Sequence, residues 1–266
     1  MTSMNMMDRT VGDVLRDWRQ RRHVSQLSLA TDTGVSARHL SFLETGRSKP
    51  SREILLRLAD GLDLPLRERN RLLVAGGYAP VFPERPLADP ALASVRRAVD
   101  LVLTGIEPYP ALALDRWWTL VTANRGAQQL LSGVSPALLE PPVNVLRLCF
   151  HPQGLTDRIA NREVLLPHLL GRLGHEIEVT GDPKLVALRD ELRSYPVMRD
   201  PGLRSSPKPD FVVPFDLVSD EGVLSFISTT TVFGTAVDVT VAELTIESFL
   251  PANAETADLL RQMLER

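Results

Sequence analysis

The sequence predicts a multidomain chain, an all-α domain followed by an α+β domain built on an antiparallel sheet. Three observations carry this. Between Gln26 and Ser51 two short helical patterns meet at a glycine. The run 78–90, YAPVFPERPLADP, holds four prolines and breaks any helix. Beyond residue 210, runs rich in Val, Ile, Phe and Thr alternate with turn residues, as in an antiparallel meander. At 266 residues there is room for two domains of ordinary size, here bounded as 1–78 and 92–266 with a Pro-rich linker at 79–91.

The first helical pattern, Gln26–Thr33, carries Leu27 and Ala30 and has Ser25 directly before it as a cap. Gly34 supplies the turn, and Ser36 caps a second helix running to about Thr45. This is the layout of a helix-turn-helix, whose turn holds the second helix proud so that it can enter a major groove. At about 100° per residue, Leu40 and Leu43 share the core side of that helix. Ala37, Arg38, Ser41, Phe42 and Thr45 fall on the other side and are the candidate base-reading residues for double-stranded DNA. A guanidinium in the first turn, Arg38, can pair bidentately with guanine O6 and N7, and Phe42 can meet a thymine methyl. Candidate phosphate contacts are Ser25 and Gln26, at a helix start that favours an anion, and the basic cluster Arg47, Lys49 and Arg52. Against a small helical bundle with an ordinary surface Arg38, the spacing, the turn and the polar loop together favour DNA binding.

Gln26-x-x-Leu29-Ala30, Gly34-Val35-Ser36, Leu40, Leu43-Glu44-x-Gly46-Arg47 and Pro50-Ser51 resemble the lambda-repressor-like, or xenobiotic-response-element-type, helix-turn-helix family, over roughly the first 78 residues. The resemblance implies a five-helix domain in which the leading Gln of the second helix touches phosphate and the third helix reads bases. The flanks agree. Val11, Leu15 and Trp18 space as a first helix; Ile54, Leu55, Leu58 and Leu62 as a fourth; Leu66, Leu72 and Leu73 as a fifth, closed by Gly76-Gly77.

Charge divides the chain unevenly. Residues 1–78 hold thirteen Lys/Arg against nine Asp/Glu, and the remainder seventeen against twenty-four, so a basic reader is joined to an acidic body. The single cysteine, Cys149, sits in the apolar run Val145–Phe150 and reads as a small buried hydrophobe. His168 and His175 fall on one helical face without an obvious third ligand, so no metal site is expected. The N-terminal MTSMNMMDRT lacks the apolar core of a signal peptide, and no apolar stretch approaches the ~20 residues of a membrane span, so a cytoplasmic protein is expected. No nucleophile–base constellation is present. Ser205-Ser206-Pro207-Lys208 matches S-x-x-K, but its proline breaks the helix such a pair needs, and Glu176 and Glu178 lie in a polar stretch without a partner. Neither catalytic residues nor a cofactor are expected.

After the linker, 92–104 is amphipathic with Leu92, Val95, Val99 and Val102 on one side, and 105–110 stops it. Residues 111–115 and 118–122 read as strands meeting near Asp115 and Arg116, and Asn124 caps a helix over 125–131. Further helices are expected over 145–150, 162–173 and 184–194. Strands follow over 211–217, 222–231 and 237–248, then a closing helix over 256–265. Thr229, Thr230 and Thr231 need no role beyond strand propensity. The sum is an α+β sheet with helices on one side.

That strand order resembles the PAS-like sensor fold. D-R-W-W-x-L-V-x-A-N-R at 115–125, N-V-L-R-L at 144–148, H-P-x-G-L at 151–155 and S-T-x-T-x-F-G-T-x-x-D-V-T-x-A-E-L at 228–244 resemble the ligand-binding domain of MmyB-like transcription regulators. The resemblance implies a PAS-like domain whose interior holds an apolar, fatty-acid-like molecule. By residue type alone, Trp117, Trp118, Phe150, Phe211, Phe226, Phe233 and Phe249 either fill the core or line a cavity. Arg147, His151 and Arg158 either pair within the fold or meet a ligand carboxylate. The expected protein is a homodimeric, sequence-specific transcription regulator with DNA and a small apolar ligand as partners. Its rival is a constitutive DNA binder whose second domain only dimerises or binds protein.

Overall fold

A computed structural model describes residues 10–204 and 212–265, and the chain forms two compact units whose backbone boundary lies between Glu84 and Arg85. That boundary falls inside the four-proline run.

The first unit holds α1 (Val11–Arg21), α2 (Gln26–Thr33), α3 (Ala37–Glu44), α4 (Arg52–Gly61) and α5 (Leu66–Ala75). Side-chain caps start four of them. Thr10 forms a capping box with Asp13, and Ser25, Ser36 and Ser51 accept from the N–H groups of Ser28, His39 and Ile54, each worth about 1 kcal/mol. Gly34 closes α2 at φ 65°, a left-handed conformation that favours glycine. Leu15, Trp18, Leu29, Leu40, Leu43, Leu55, Leu58 and Leu72 fill the core. Leu29, not Leu27, is the inward residue of α2; Leu27 is 70% exposed. In α1, a Cβ on Gly12 would stand 2.5 Å from the carbonyl oxygen of Leu43, so the glycine lets α1 lie against the end of α3.

The second unit opens with a 3-10 turn, Pro90–Leu92, that runs into α6 (Ala93–Ile106). Then come β1 (Ala111–Leu114), β2 (Leu120–Ala123), α7 (Arg125–Leu130), α8 (Val145–Phe150), α9 (Arg162–Thr180), α10 (Pro183–Ser194), α11 (Pro201–Arg204), β3 (Phe215–Ser219), β4 (Gly222–Val232), α12 (Val239–Ala242), β5 (Thr245–Pro251) and α13 (Ala254–Glu265). The five strands described run antiparallel in the order β2-β1-β5-β4-β3, the α+β, PAS-like arrangement. Asn124 ties the start of this sheet together. Its Oδ1 accepts from Ala127 and Ala111 N–H, while its Nδ2 donates to the Leu103 and Tyr109 carbonyls, so it does more than cap α7.

Four expectations need correction. Helices do not lie on one side only. Alternation along β1 sends Leu112 and Leu114 into the large core, and Ala111 and Ala113 into a second cluster with Val99 and Leu103 of α6. The span 237–248 is not one strand: it forms α12 and then β5, because β propensity in a Val/Thr-rich run yields to local context. Helix α9 runs to Thr180 instead of 173, its last turns held by contacts that periodicity does not register, and Gly181 at φ 62° ends it. The first strand of the meander begins at Phe215; Phe211 and the S-x-x-K run 205–208 lie outside the described residues. Among the described residues, no helix is long and apolar enough to cross a membrane, and no group of three His, Cys, Asp or Glu is placed to hold a metal ion.

Candidate functional site

In the first unit, Arg38 of α3 and its C-cap Thr45 are exposed and Ala37, Ser41 and Phe42 partly so, while Leu40 and Leu43 are buried beneath. The Arg38 guanidinium lies 5.4 Å from the Phe42 ring one turn on, so the two proposed base readers form one cationic and apolar patch. The Thr45 hydroxyl donates to the Ser41 carbonyl at 2.8 Å.

Arg47, Lys49 and Arg52 are exposed, and no carboxylate among the described residues pairs with them or with Arg38. By contrast Arg16, Arg19, Arg21, Arg67, Arg69 and Arg71 are ion-paired. Arg38, Arg47, Lys49 and Arg52 thus stand without an acidic partner among the described residues from α3 to the start of α4, as do Arg22, on the Leu62 and Asp63 carbonyls, and Arg57 elsewhere in the unit.

Two proposed phosphate contacts have partners of their own. Ser25 caps α2, and the Gln26 amide donates to Glu44 Oε2 at 2.7 Å. Gln26 thus reaches the last residue of α3 and helps to fix the recognition helix. Glu44, 3% exposed, also takes Arg19 Nε and Nη2 at 2.6 and 2.9 Å, and Arg16 donates to its carbonyl at 2.7 Å. Burial alone would raise the Glu44 pKa, but the Arg19 and Gln26 bonds outweigh it and hold the carboxyl below its usual range.

The second unit contains an apolar cavity of about 100 Å³, lined by residues that include Leu112, Leu114, Trp118, Leu146, Phe215 and Phe249. Its polar lining is His168 and Arg172 from α9, Ser228 from β4 and Glu247 from β5. Arg172 Nη2 is 2.5 Å from Glu247 Oε1, and its guanidinium lies 4.8 Å from the Trp118 ring. Thr230 donates to the same Glu247 oxygen at 3.2 Å, a role beyond strand propensity. Glu176 is not without a partner either. It accepts from Trp118 Nε1 at 2.8 Å, and burial raises its pKa. Burial, with Arg172 nearby, lowers that of His168. Cys149 also lines the cavity; burial pushes its thiol up to about 12, so it stays protonated.

Trp118 holds φ at 63°, a left-handed backbone rare for an aromatic residue. The Asp115 carboxylate keeps it there by accepting from the Trp117 and Thr119 N–H groups. Next to it, Arg116 bridges Asp182 and Glu243 at 2.8 and 2.6 Å. The D-R-W-W run is thus a brace that sets Trp118 on the cavity wall.

Of the residues offered for a cavity or a ligand, Trp118 and Phe249 line this one and the others described do not. Phe150 and Phe226 are fully buried in the core, and Phe233 packs on the α6 cluster. Trp117 lies between Arg116 and Lys184 and donates to Asp182. Arg147 forms a bidentate pair with Glu191, both bonds 2.8 Å, and holds that carboxyl below its usual range. His151 meets the Tyr195 ring edge-on, and Arg158 donates to the carbonyls of Leu130, Ser132 and Val218. The reason is helical phase: Leu146 and Phe150 take the buried side of α8, which leaves Arg147 and His151 the other. Sequence reasoning missed the polar end, although its signal was present as His168, Arg172 and Glu176, spaced by four along a Leu-rich helix.

Residues 95–263 match the family described as MmyB-like transcription regulator ligand binding domain, and residues 10–72 match a helix-turn-helix domain. An uncharacterised HTH-type transcriptional regulator of Mycobacterium bovis is 30% identical over 141 residues, 53% of this chain and 48% of its own. A putative HTH-type transcriptional regulatory protein of Methanoculleus marisnigri is 31% identical over 131 residues, covering 48% and 42%. An ImmF control region 10 kDa protein of Bacillus phage phi105 is 35% identical over 78 residues, covering 27% and 87%. The chain spans about half the length of the first two relatives. A solved RNA-binding light-oxygen-voltage receptor is 11% identical, covering 96% of this chain and 62% of its own, with a TM-score of 0.27, too loose a superposition to say more.

Proposed function

Because the chain belongs to the family of MmyB-like transcription regulators, with a helix-turn-helix domain ahead of the ligand-binding domain, we propose that it is a sequence-specific DNA-binding transcription regulator that senses a small apolar ligand, such as a fatty acid or similar amphiphile. The observation that carries the sensing half is the apolar cavity with its single polar end at His168, Arg172 and Glu247. In this reading the ligand head group meets that end. The cations without acidic partners around α3 support the DNA half. In this reading a cytoplasmic homodimer places two recognition helices in successive half-sites. The ligand acts by binding two states of the protein with different affinity.

Mass spectrometry of the apolar extract from purified full-length protein tests the proposal. A co-purifying amphiphile is expected, and returning it at about a hundred times its Kd stabilises the stripped protein by about 2.7 kcal/mol. An empty extract, together with no thermal shift at any chain length, would leave a DNA binder whose second unit only assembles it.

A further inference from the structure

We propose that the polar end of the cavity selects an uncharged head group, an alcohol or a carboxylic acid in its protonated form, and excludes the carboxylate anion. The proposal rests on the sensing role given above and narrows its ligand. Among the described residues that line the cavity, Arg172 is the one permanent cation, and it is already committed. Its Nη2 lies 2.5 Å from Glu247 Oε1, and Glu247 is only 4% exposed. An incoming carboxylate that drew Arg172 away would leave Glu247 buried and unpaired, a strongly unfavourable state. If Arg172 stayed, two anions would share one cation in a poorly hydrated site.

The surroundings do not relieve this. Helix α9 brings His168, Arg172 and Glu176, with His175 acting on Glu176; β5 brings Glu247, and α8 brings the protonated Cys149. Strand β4 adds only the hydroxyls of Ser228 and Thr230. His168 is held towards its neutral form, so it does not supply a second cation. An uncharged hydroxyl meets no such obstacle. Both bonds to Glu247, from Arg172 and Thr230, fall on Oε1, and Oε2 has no hydrogen-bond partner among the described residues, so it can accept the ligand O–H. At about 100 Å³ the cavity is smaller than the ~150 Å³ that holds benzene, so it takes the head group and the first few carbons of a chain.

Titration calorimetry of the full chain with 1-octanol and with octanoate, at pH 6 and pH 8, tests this. The octanol Kd is expected to be the same at both values, which also shows that the site itself does not titrate between them. Octanoate at pH 8 should bind at least tenfold more weakly than octanol. Its Kd should weaken about tenfold per pH unit, as the neutral acid becomes scarcer. Octanoate that binds at pH 8 as tightly as octanol, or with a pH-independent Kd, overturns the proposal and leaves the sensing role standing. If neither probe binds, this proposal falls, while the sensing role is decided by the extract and the chain-length series. Glu247→Gln frees the Arg172 guanidinium and should improve octanoate binding at pH 8 at least tenfold. A folded variant with unchanged octanoate affinity contradicts the assignment, and the wild-type pH series decides the matter if the variant does not fold.

Discussion

Glu44 ends the recognition helix and is also heavily bonded, gripped by Arg19 and Gln26, with Arg16 on its carbonyl. Glu44→Ala should therefore destabilise that unit by about 3 kcal/mol, because it strands Arg19 beside a cavity; urea denaturation of the full chain measures this. The carboxyl ionises more readily folded than unfolded, so its contribution is present above about pH 4.5, its ordinary value, and is lost as the pH falls below it. In wild type, acid should thus loosen the first unit, and the Glu44→Ala variant should show less of that dependence. The exposed residues differ in kind. Arg38→Ala should cost about 1–3 kcal/mol on the specific site and little on random DNA. Arg47→Ala should weaken all sequences alike and lower the salt slope by roughly one unit. Anisotropy titrations at several salt concentrations distinguish the two, and a uniform loss for Arg38→Ala would make it a phosphate contact.

Helices whose signals are local were legible in the sequence. Ser25, Ser36 and Ser51 each stand just before an apolar-periodic run, and each caps the helix expected of it. Leu146 and Phe150 share a helical face, and α8 has the expected bounds. What could not be read depended on distant partners: α12 inside a Val/Thr-rich run, and the last turns of α9, where Glu176 meets Trp118 some sixty residues earlier in the chain. Burial of Glu176 at that contact has a measurable cost. Glu176 is harder to ionise folded than unfolded, so the folded state is favoured most at low pH and less as the pH rises above the ordinary carboxylate value. Glu176→Gln keeps an acceptor for Trp118 and should raise Tm at pH 8 more than at pH 5; an equal change at both values would show that its ionisation is not felt. At the contact of α1 with α3, Gly12→Ala pushes a Cβ onto the Leu43 carbonyl and should cost about 1–3 kcal/mol by thermal or urea denaturation.

At the scale of the molecule, the two-part fold and the exposed face of α3 were more legible in the sequence than the lining of the cavity. A recognition helix is read from one short periodic segment, so Arg38, Phe42 and Arg47 could be placed without knowing the rest of the fold. The cavity instead gathers Leu112 from β1, Leu146 from α8, Arg172 from α9, Phe215 from β3 and Glu247 from β5, and no sequence interval announces that meeting. Arg147 and His151 lay closest in sequence to the apolar run and were the natural head-group candidates, yet helical phase turned them to Glu191 and Tyr195. The central claim, that occupancy of this cavity alters DNA binding, is tested most directly by the Kd of the full chain for a duplex selected from a randomised pool, measured with and without saturating 1-octanol. A shift of at least fivefold, the lower range of allosteric coupling, is the predicted result, and an identical Kd under saturation would contradict it.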